Sequence, residues 1–254
     1  MNSVFDSIAD LGLIGRITVT PYEVGGGLAA VERVPLLLSA KQETSAKDGR
    51  AQWLEPPCPA GWYMTAGSLY DALRPYVPTI AAPKWSVART STPCWKCHRD
   101  TRVYAVCVCQ PAGWIYSTPD DPEWSASLPE ATRDGRLDSW GMWEALPCAT
   151  TCAYLTRLNG SAAKQLSDLC PAYRPDTSRE AGGRYWMNHC EHCEAKQGDH
   201  FVHATESRPG LFLPLSDEGA AGIQFHEVES PLIARATLDF GDAPIPHLQA
   251  CGKW

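Results

Sequence analysis

The sequence has no run of about 18 apolar residues, so no helix of it is expected to cross a membrane. Nor does it show a basic stripe. The formal charge is −7; residues 1–90 carry eight Lys/Arg against eight Asp/Glu, and residues 91–254 carry 14 against 21. Duplex-binding domains draw most of their affinity from phosphate neutralisation, so this balance argues against a duplex partner. The amino terminus, Met1 to Asp6, is acidic where a secretory signal needs basic residues, and no apolar core with a small-residue cleavage site follows it. A reducing cytoplasm is the expected compartment. Several catalytic signatures are missing as well: no nucleophile elbow, His-Glu-x-x-His helix, Walker loop or deaminase His-x-Glu set is present. Gly25-Gly-Gly27 lacks the Lys-Ser/Thr of a phosphate loop and reads as a turn. No internal repeat is evident.

What is abundant is Trp (ten), Pro (21) and Cys (11) in a chain of 254 residues that is 44% apolar and 20% charged. That composition fits a globular protein of short strands, rigid turns and aromatic anchors. The reading is α+β: a small N-terminal α/β module over 1–84, a β-rich domain over 85–240 and a tail over 241–254. Helices are expected at Ser45–Trp53, Ser68–Tyr76 and Ser161–Leu169, the last with Ser161 as its N-cap. Strands are expected at Val34–Leu38, Thr101–Cys109, Trp114–Tyr116, Thr151–Arg157, His200–His203, Leu211–Leu215 and Leu232–Asp239. Thr101–Cys109 is apolar on both faces and should be well buried. Residues 117–138 hold six acids and two Arg without periodicity and read as an exposed acidic loop.

In a reducing compartment, paired cysteines read first as metal ligands. Cys94-Trp-Lys-Cys97 and Cys190-Glu-His-Cys193 are two Cys-x-x-Cys pairs. A two-residue gap lets one tight turn aim both sulfurs at one ion, and two such turns complete a tetrahedral Cys₄ site, so one structural Zn²⁺ is the expected cofactor. The 92 residues between the pairs exceed the 15–20 of compact ribbons. Loop-closure entropy grows only logarithmically, which makes an insertion, placed at 110–183, affordable. Cys94 to His98 also matches a c-type haem string, but haem attachment requires export and leaves the second pair unexplained; a redox pair needs its first Cys at a helix N-terminus, whereas Pro93 precedes it and the polar His98–Thr101 hairpin follows. A His (His189, His192 or His203) could replace one thiol. Cys107, Cys109, Cys148 and Cys152 could form a second metal site or simply be small buried apolar residues. Cys58, Cys170 and Cys251 have no partner in the pattern.

Trp85, Trp95, Tyr104, Tyr185 and Trp186 surround the thiols in sequence and could stack bases or fill a partner's pockets. Asp199, His200 and His203 are the candidate catalytic groups. A closed Cys₄ zinc has no open position for water or substrate, which favours a structural ion. Three functions follow: a non-enzymatic zinc protein binding single-stranded nucleic acid or a protein partner; an acidic effector or inhibitor of a nucleic-acid enzyme; or a metal-dependent enzyme using Asp199, His200 or His203.

The strings Ser91-Thr-Pro-Cys-Trp-Lys-Cys97 and Tyr185-Trp-Met-Asn-His-Cys-Glu-His-Cys193, continuing to Gly198-Asp-His-Phe-Val-His203, resemble a group of uncharacterised bacterial proteins. These have a split zinc ribbon and are often linked to plasmids and other mobile elements. The likeness covers about residues 85–109 and 184–215. His98 and Glu194 stand where such ribbons generally have Gly, at a turn position with φ > 0. Upstream, Ala46-Lys-Asp-Gly-Arg-Ala-Gln-Trp53 followed by Trp62-Tyr63 is similar to a small module of unknown function that recurs beside plasmid primases and topoisomerase-like proteins. Arg50 replaces that module's Gly, Gln52 its Arg and Leu54 its Asp. The resemblance implies a two-part architecture and carries no activity.

Overall fold

The computed structural model describes residues 11, 18–21, 27–30, 33–56, 59–65, 67–108, 114–117, 142–146, 149–203, 210–213, 216–239 and 252–253. In chain order the strands are β1 (Thr18–Pro21), β2 (Gly27–Ala30), β3 (Arg33–Pro35), β4 (Gln52–Leu54), β5 (Gly61–Thr65), β6 (Ile80–Ala82), β7 (Trp85–Pro93), β8 (Asp100–Val108) and β9 (Trp114–Ser117). They continue as β10 (Met142–Ala145), β11 (Thr150–Leu158), β12 (Tyr173–Ser178), β13 (Gly183–His189), β14 (Lys196–Gln197), β15 (Gln224–Val228), β16 (Leu232–Asp239) and β17 (Gly252–Lys253). The helices are short: α1 (Glu43–Asp48), α2 (Tyr70–Leu73), α3 (Gly160–Leu169), α4 (Asp199–Val202) and α5 (Asp217–Ala221). The fold is β-rich with few helices, compatible with the α+β class. No described helix is long and apolar enough to cross a membrane.

The chain divides into two compact units. The first comprises residues 1–83, 111–147 and 233–235; the second comprises 84–110, 148–232 and 236–254. Most of the acidic segment 117–138 lies outside the described residues, as do Val4–Leu13 apart from Leu11 and most of the tail.

In the first unit β3, β5 and β4 form a three-stranded antiparallel sheet, and β1, β2, β10, β9 and β6 follow one another in a second sheet. Val34, Met64, Leu73, Val77, Ala81 and Trp143 make its core. Helix α1 is shorter than the sequence predicts. Asp48 ends it because Arg50 takes a left-handed conformation (φ 59°), with its amide bonded to the Lys47 carbonyl and the Ala51 amide to that of Ala46. The turn frees Gln52–Leu54 to pair with β5. Arg50 thus occupies the position where the similar module has Gly, and its φ is the one Gly accommodates without cost. Gly49 is required for another reason: a Cβ there would meet Leu73 Cδ2 at 2.3 Å. Gly49→Ala is expected to cost about 1–3 kcal/mol by overpacking, read as a lower midpoint in urea.

In the second unit β11, β8, β7, β15 and β17 are successive neighbours, and β12, β13 and β14 form a separate antiparallel sheet. β8 is buried on both faces, as its sequence predicts. Val103, Ala105 and Cys107 pack with Val202, Phe212 and Ile223, and Tyr104, Val106 and Val108 are buried on the other side. Helix α3 presents Ala162 and Leu166 inward, but its N-cap is Asn159, so Ser161 lies inside the first turn. His200–His203 is helical where a strand was expected. Asp199, Val202 and His203 are the buried residues, and i, i+3, i+4 is a helical spacing. Residues 211–213 form a turn in place of the expected strand, with Phe212 alone sunk into the core. Strand β16 has the predicted limits.

Candidate metal centre

Each Cys-x-x-Cys lies at the tip of a β-hairpin. Cys94 and Cys97 turn the chain from β7 into β8; Cys190 and Cys193 turn it from β13 into β14. The two turns share one hydrogen-bond pattern. The Cys94 amide donates to the Arg99 carbonyl and the His98 amide to the Cys94 carbonyl, both at 2.9 Å. The Cys190 amide donates to Ala195 and the Glu194 amide to Cys190, again at 2.9 Å. Such a turn needs a left-handed residue four places after its first Cys, and His98 (φ 59°) and Glu194 (φ 58°) supply it. These are the two positions where the resembled ribbons generally carry Gly. A left-handed non-Gly residue costs about 1 kcal/mol. His98→Gly is therefore expected to raise thermal stability, whereas Glu194→Gly gains less because it also removes an exposed ion pair with Arg174.

The four Sγ atoms all lie within 4.8 Å of one another. Cys94 Sγ is 3.7 Å from Cys193 Sγ, and Cys97 Sγ is 3.7 Å from Cys190 Sγ. A tetrahedral zinc with Zn–S of about 2.3 Å would have S···S edges of about 3.8 Å, so the donor set fits such an ion. Cys94 and Cys190 are buried and Cys97 and Cys193 half-buried. Three donors face the inner sulfurs: the Lys96 amide and Gln197 Nε2 on Cys94 (3.4 and 3.3 Å), and the His192 amide on Cys190 (3.4 Å).

These surroundings spread the acidities apart. Burial raises Cys94, but the Cys97 and Lys96 amides and the neighbouring sulfurs outweigh it and bring it to about 6. Cys190 likewise ends below its ordinary value, burial being overcome by the His192 and Cys193 amides. The Ala195 amide lowers Cys193, yet burial and the three other sulfurs push it up to about 12. Four thiolates this close repel one another, and a divalent cation at their centre is what lets all of them ionise together.

Strand pairing does not bring the two hairpins together, because β13 hydrogen-bonds in a different sheet from β8. Side chains do it. Asn188, buried two residues before Cys190, accepts from the Tyr104 amide through Oδ1 (2.8 Å) and donates to the Tyr104 carbonyl through Nδ2 (2.9 Å). It thereby replaces a strand neighbour for one residue of β8. Thr101 Oγ1 accepts from the Glu191 amide (3.1 Å), Arg102 Nε donates to Glu191 Oε1 (2.8 Å), and His192 Nε2 donates to the Asp100 carbonyl (2.9 Å). Trp95 Nε1 donates to the Lys196 carbonyl (2.8 Å). The sequence reading missed Asn188; an amide directly after the apolar Tyr185–Met187 run was the signal that it satisfies something buried.

Of the five aromatic candidates only Trp95 is open to solvent, at 59% exposure; Trp85, Tyr104, Tyr185 and Trp186 retain 3–6%. Those four are core residues, with Trp186 packed on Tyr173 and Tyr185 edge-on to Tyr154. Asp199 and His203 are buried together, with His203 Nε2 3.9 Å from Asp199 Oδ2, while His200 is exposed, so the three do not share one surface. Asp199 Oδ2 accepts from the amide of Tyr154 (2.6 Å), a left-handed residue within β11, and His203 Nδ1 lies 3.2 Å from Thr151 Oγ1. These are structural ties.

The second cysteine group is divided. Cys109 and Cys148 lie outside the described residues. Cys107 sits opposite Thr151 and Cys152 opposite Val106, so their side chains project from opposite faces of the β8–β11 pair and cannot share an ion. Burial pushes the Cys152 thiol up to about 12. Cys58 and Cys251 are not among the described residues either, and Cys170 is a buried thiol raised to about 12 by desolvation. Among the described residues, Cys94, Cys97, Cys190 and Cys193 form the group able to hold a metal ion. No protein-family model, curated protein or solved structure matches the chain.

Proposed function

We propose that the protein is a cytoplasmic, non-enzymatic binding protein of a bacterial mobile element, held in shape by one structural Zn²⁺ in a split zinc ribbon. Its ligand is single-stranded nucleic acid or a protein partner. One observation carries the reading: four thiols within 4.8 Å of one another, on two hairpin turns of the same hydrogen-bond pattern. Cys94, Cys97, Cys190 and Cys193 would hold the ion, and its contribution would be cohesion between two distant parts of the chain. With four thiolates around it, no position remains for a substrate. The enzyme reading draws no support from Asp199 and His203, which are enclosed.

Native mass spectrometry of the purified protein is expected to give one zinc per chain. Gel shifts with single-stranded DNA and RNA at about 50 mM salt test the nucleic-acid arm, since phosphate contacts are strongest there; affinity capture tests the protein arm. A folded chain free of metal would overturn the reading. The charge asymmetry supports a second one, an acidic effector that inhibits a nucleic-acid enzyme, since six acids fall in 117–138. Stable co-purification with such an enzyme, abolished by neutralising those acids, would favour it.

A further inference from the structure

We infer that the turn Trp95–Arg99 is the contact site for single-stranded nucleic acid, with one base stacked on the Trp95 indole and the flanking phosphates on Lys96 and Arg99. The inference rests on the binding function proposed above and names the surface that performs it. Trp95 is more than half exposed, yet its ring is not loose: the bond from Nε1 to the Lys196 carbonyl fixes its edge against the second hairpin. A ring held by its edge leaves a face free and pays little ordering entropy on binding.

The charge around it is one-sided. Lys96 and Arg99 are exposed, and among the described residues neither makes an ion pair. Asp100 is the single acid of the turn. On the opposite hairpin the acids are already neutralised, Glu191 by Arg102 and Glu194 by Arg174, while Lys196 is engaged by Asp176. The first turn therefore offers cations and a π-face together, which suits a phosphodiester with an unstacked base. A duplex has its bases already stacked on one another, and the overall charge of −7 opposes a long phosphate track.

The test is fluorescence anisotropy with the full zinc-loaded chain, a fluorescein-labelled 20-nucleotide oligo(dT) and a matched duplex, in about 50 mM salt. Trp95→Ala should weaken oligo(dT) binding roughly 5- to 150-fold, the range for loss of one base–aromatic stack. Trp95→Phe, which keeps a ring without the N–H, should restore a substantial part. Lys96→Ala combined with Arg99→Ala leaves the indole untouched and should flatten the log–log salt slope by about 1.4. Unchanged metal content and melting temperature in that double variant separate lost contact from lost fold. Oligo(dT) binding that is equally tight in the wild type, in Trp95→Ala and in the Lys96/Arg99 double variant overturns the site but leaves the binding function standing. Equal affinity for the duplex also overturns it. Wild-type protein that binds neither oligonucleotide removes the nucleic-acid function and this inference with it.

Discussion

Replacing any one of Cys94, Cys97, Cys190 or Cys193 by Ser is expected to abolish the cooperative fold of the hairpins that carry them. Structural zinc commonly supplies on the order of 10 kcal/mol in small domains, comparable with the 5–15 kcal/mol that holds a whole fold together. The loss is so large because the small cluster around the thiols has little else: Cys94, Cys190 and Ala195 are its buried members, with Cys97 and Cys193 packed at its margin. Without the ion, four thiolates at this spacing repel one another, and the sulfurs avoid this only by staying protonated, which leaves no bond between the hairpins. The expected readout is loss of bound zinc together with loss of near-ultraviolet dichroism, and a chelator should reproduce both in the unmutated protein. Cys152→Ala and Cys170→Ala provide the contrast. Both are buried thiols outside the four-sulfur group, Cys152 on β11 and Cys170 at the C-terminus of α3, so each should cost a kcal/mol or so and leave the zinc in place. A Cys97→Ser variant that keeps its ion and its melting temperature would overturn the assignment.

The second large effect is expected at a residue that binds no metal. Asn188→Ala would strand the Tyr104 amide and carbonyl in a buried position at once, because both are bonded to that one side chain. Each unsatisfied buried group costs about 1–3 kcal/mol, so a loss near 3 kcal/mol is expected, visible as a lower urea midpoint at constant slope. Asn188→Asp should be no milder. A carboxylate can accept from the Tyr104 amide but cannot donate to its carbonyl, and it brings an unpaired charge inside. The variant should also bind zinc more weakly, since Asn188 ties β13 to β8 two residues before Cys190. A shift below 1 kcal/mol would mean that the thiols alone align the hairpins.

Local pattern was legible where a local rule fixes the answer. The spacing Cys-x-x-Cys can close only as a tight turn, and the two turns are there, each with a left-handed residue at the position read as one that favours Gly. β8 was readable because it is apolar on both faces, and β16 because its buried Leu232 and Ala234 alternate with more exposed neighbours. The segments that failed were short, under ten residues. His200–His203 holds an apolar Phe-Val pair that reads as a short strand until Asp199 is counted with it, after which the buried set is helical. Ser45–Trp53 carries helix-forming residues, but the left-handed Arg50 breaks it, and no sequence rule assigns that conformation to an Arg.

Among the aromatic residues, adjacency to the thiols in sequence said nothing about exposure. Trp85, Tyr104, Tyr185 and Trp186 sit on strands and are buried, and Trp95 sits on a turn, where more than half of it stays open to solvent.

By itself, then, the sequence determined the identity of the four thiols, the turn each pair must make and the closed character of any ion they would bind, because all three follow from short-range geometry and from sulfur chemistry. Only the tertiary structure decided that the two turns meet, which side chains clamp them, and that Trp95, of the five aromatic residues near the thiols in sequence, is left facing water. Those outcomes depend on residues some ninety positions apart, and contact at that separation is set by the packing of whole sheets and by where buried polar groups find partners.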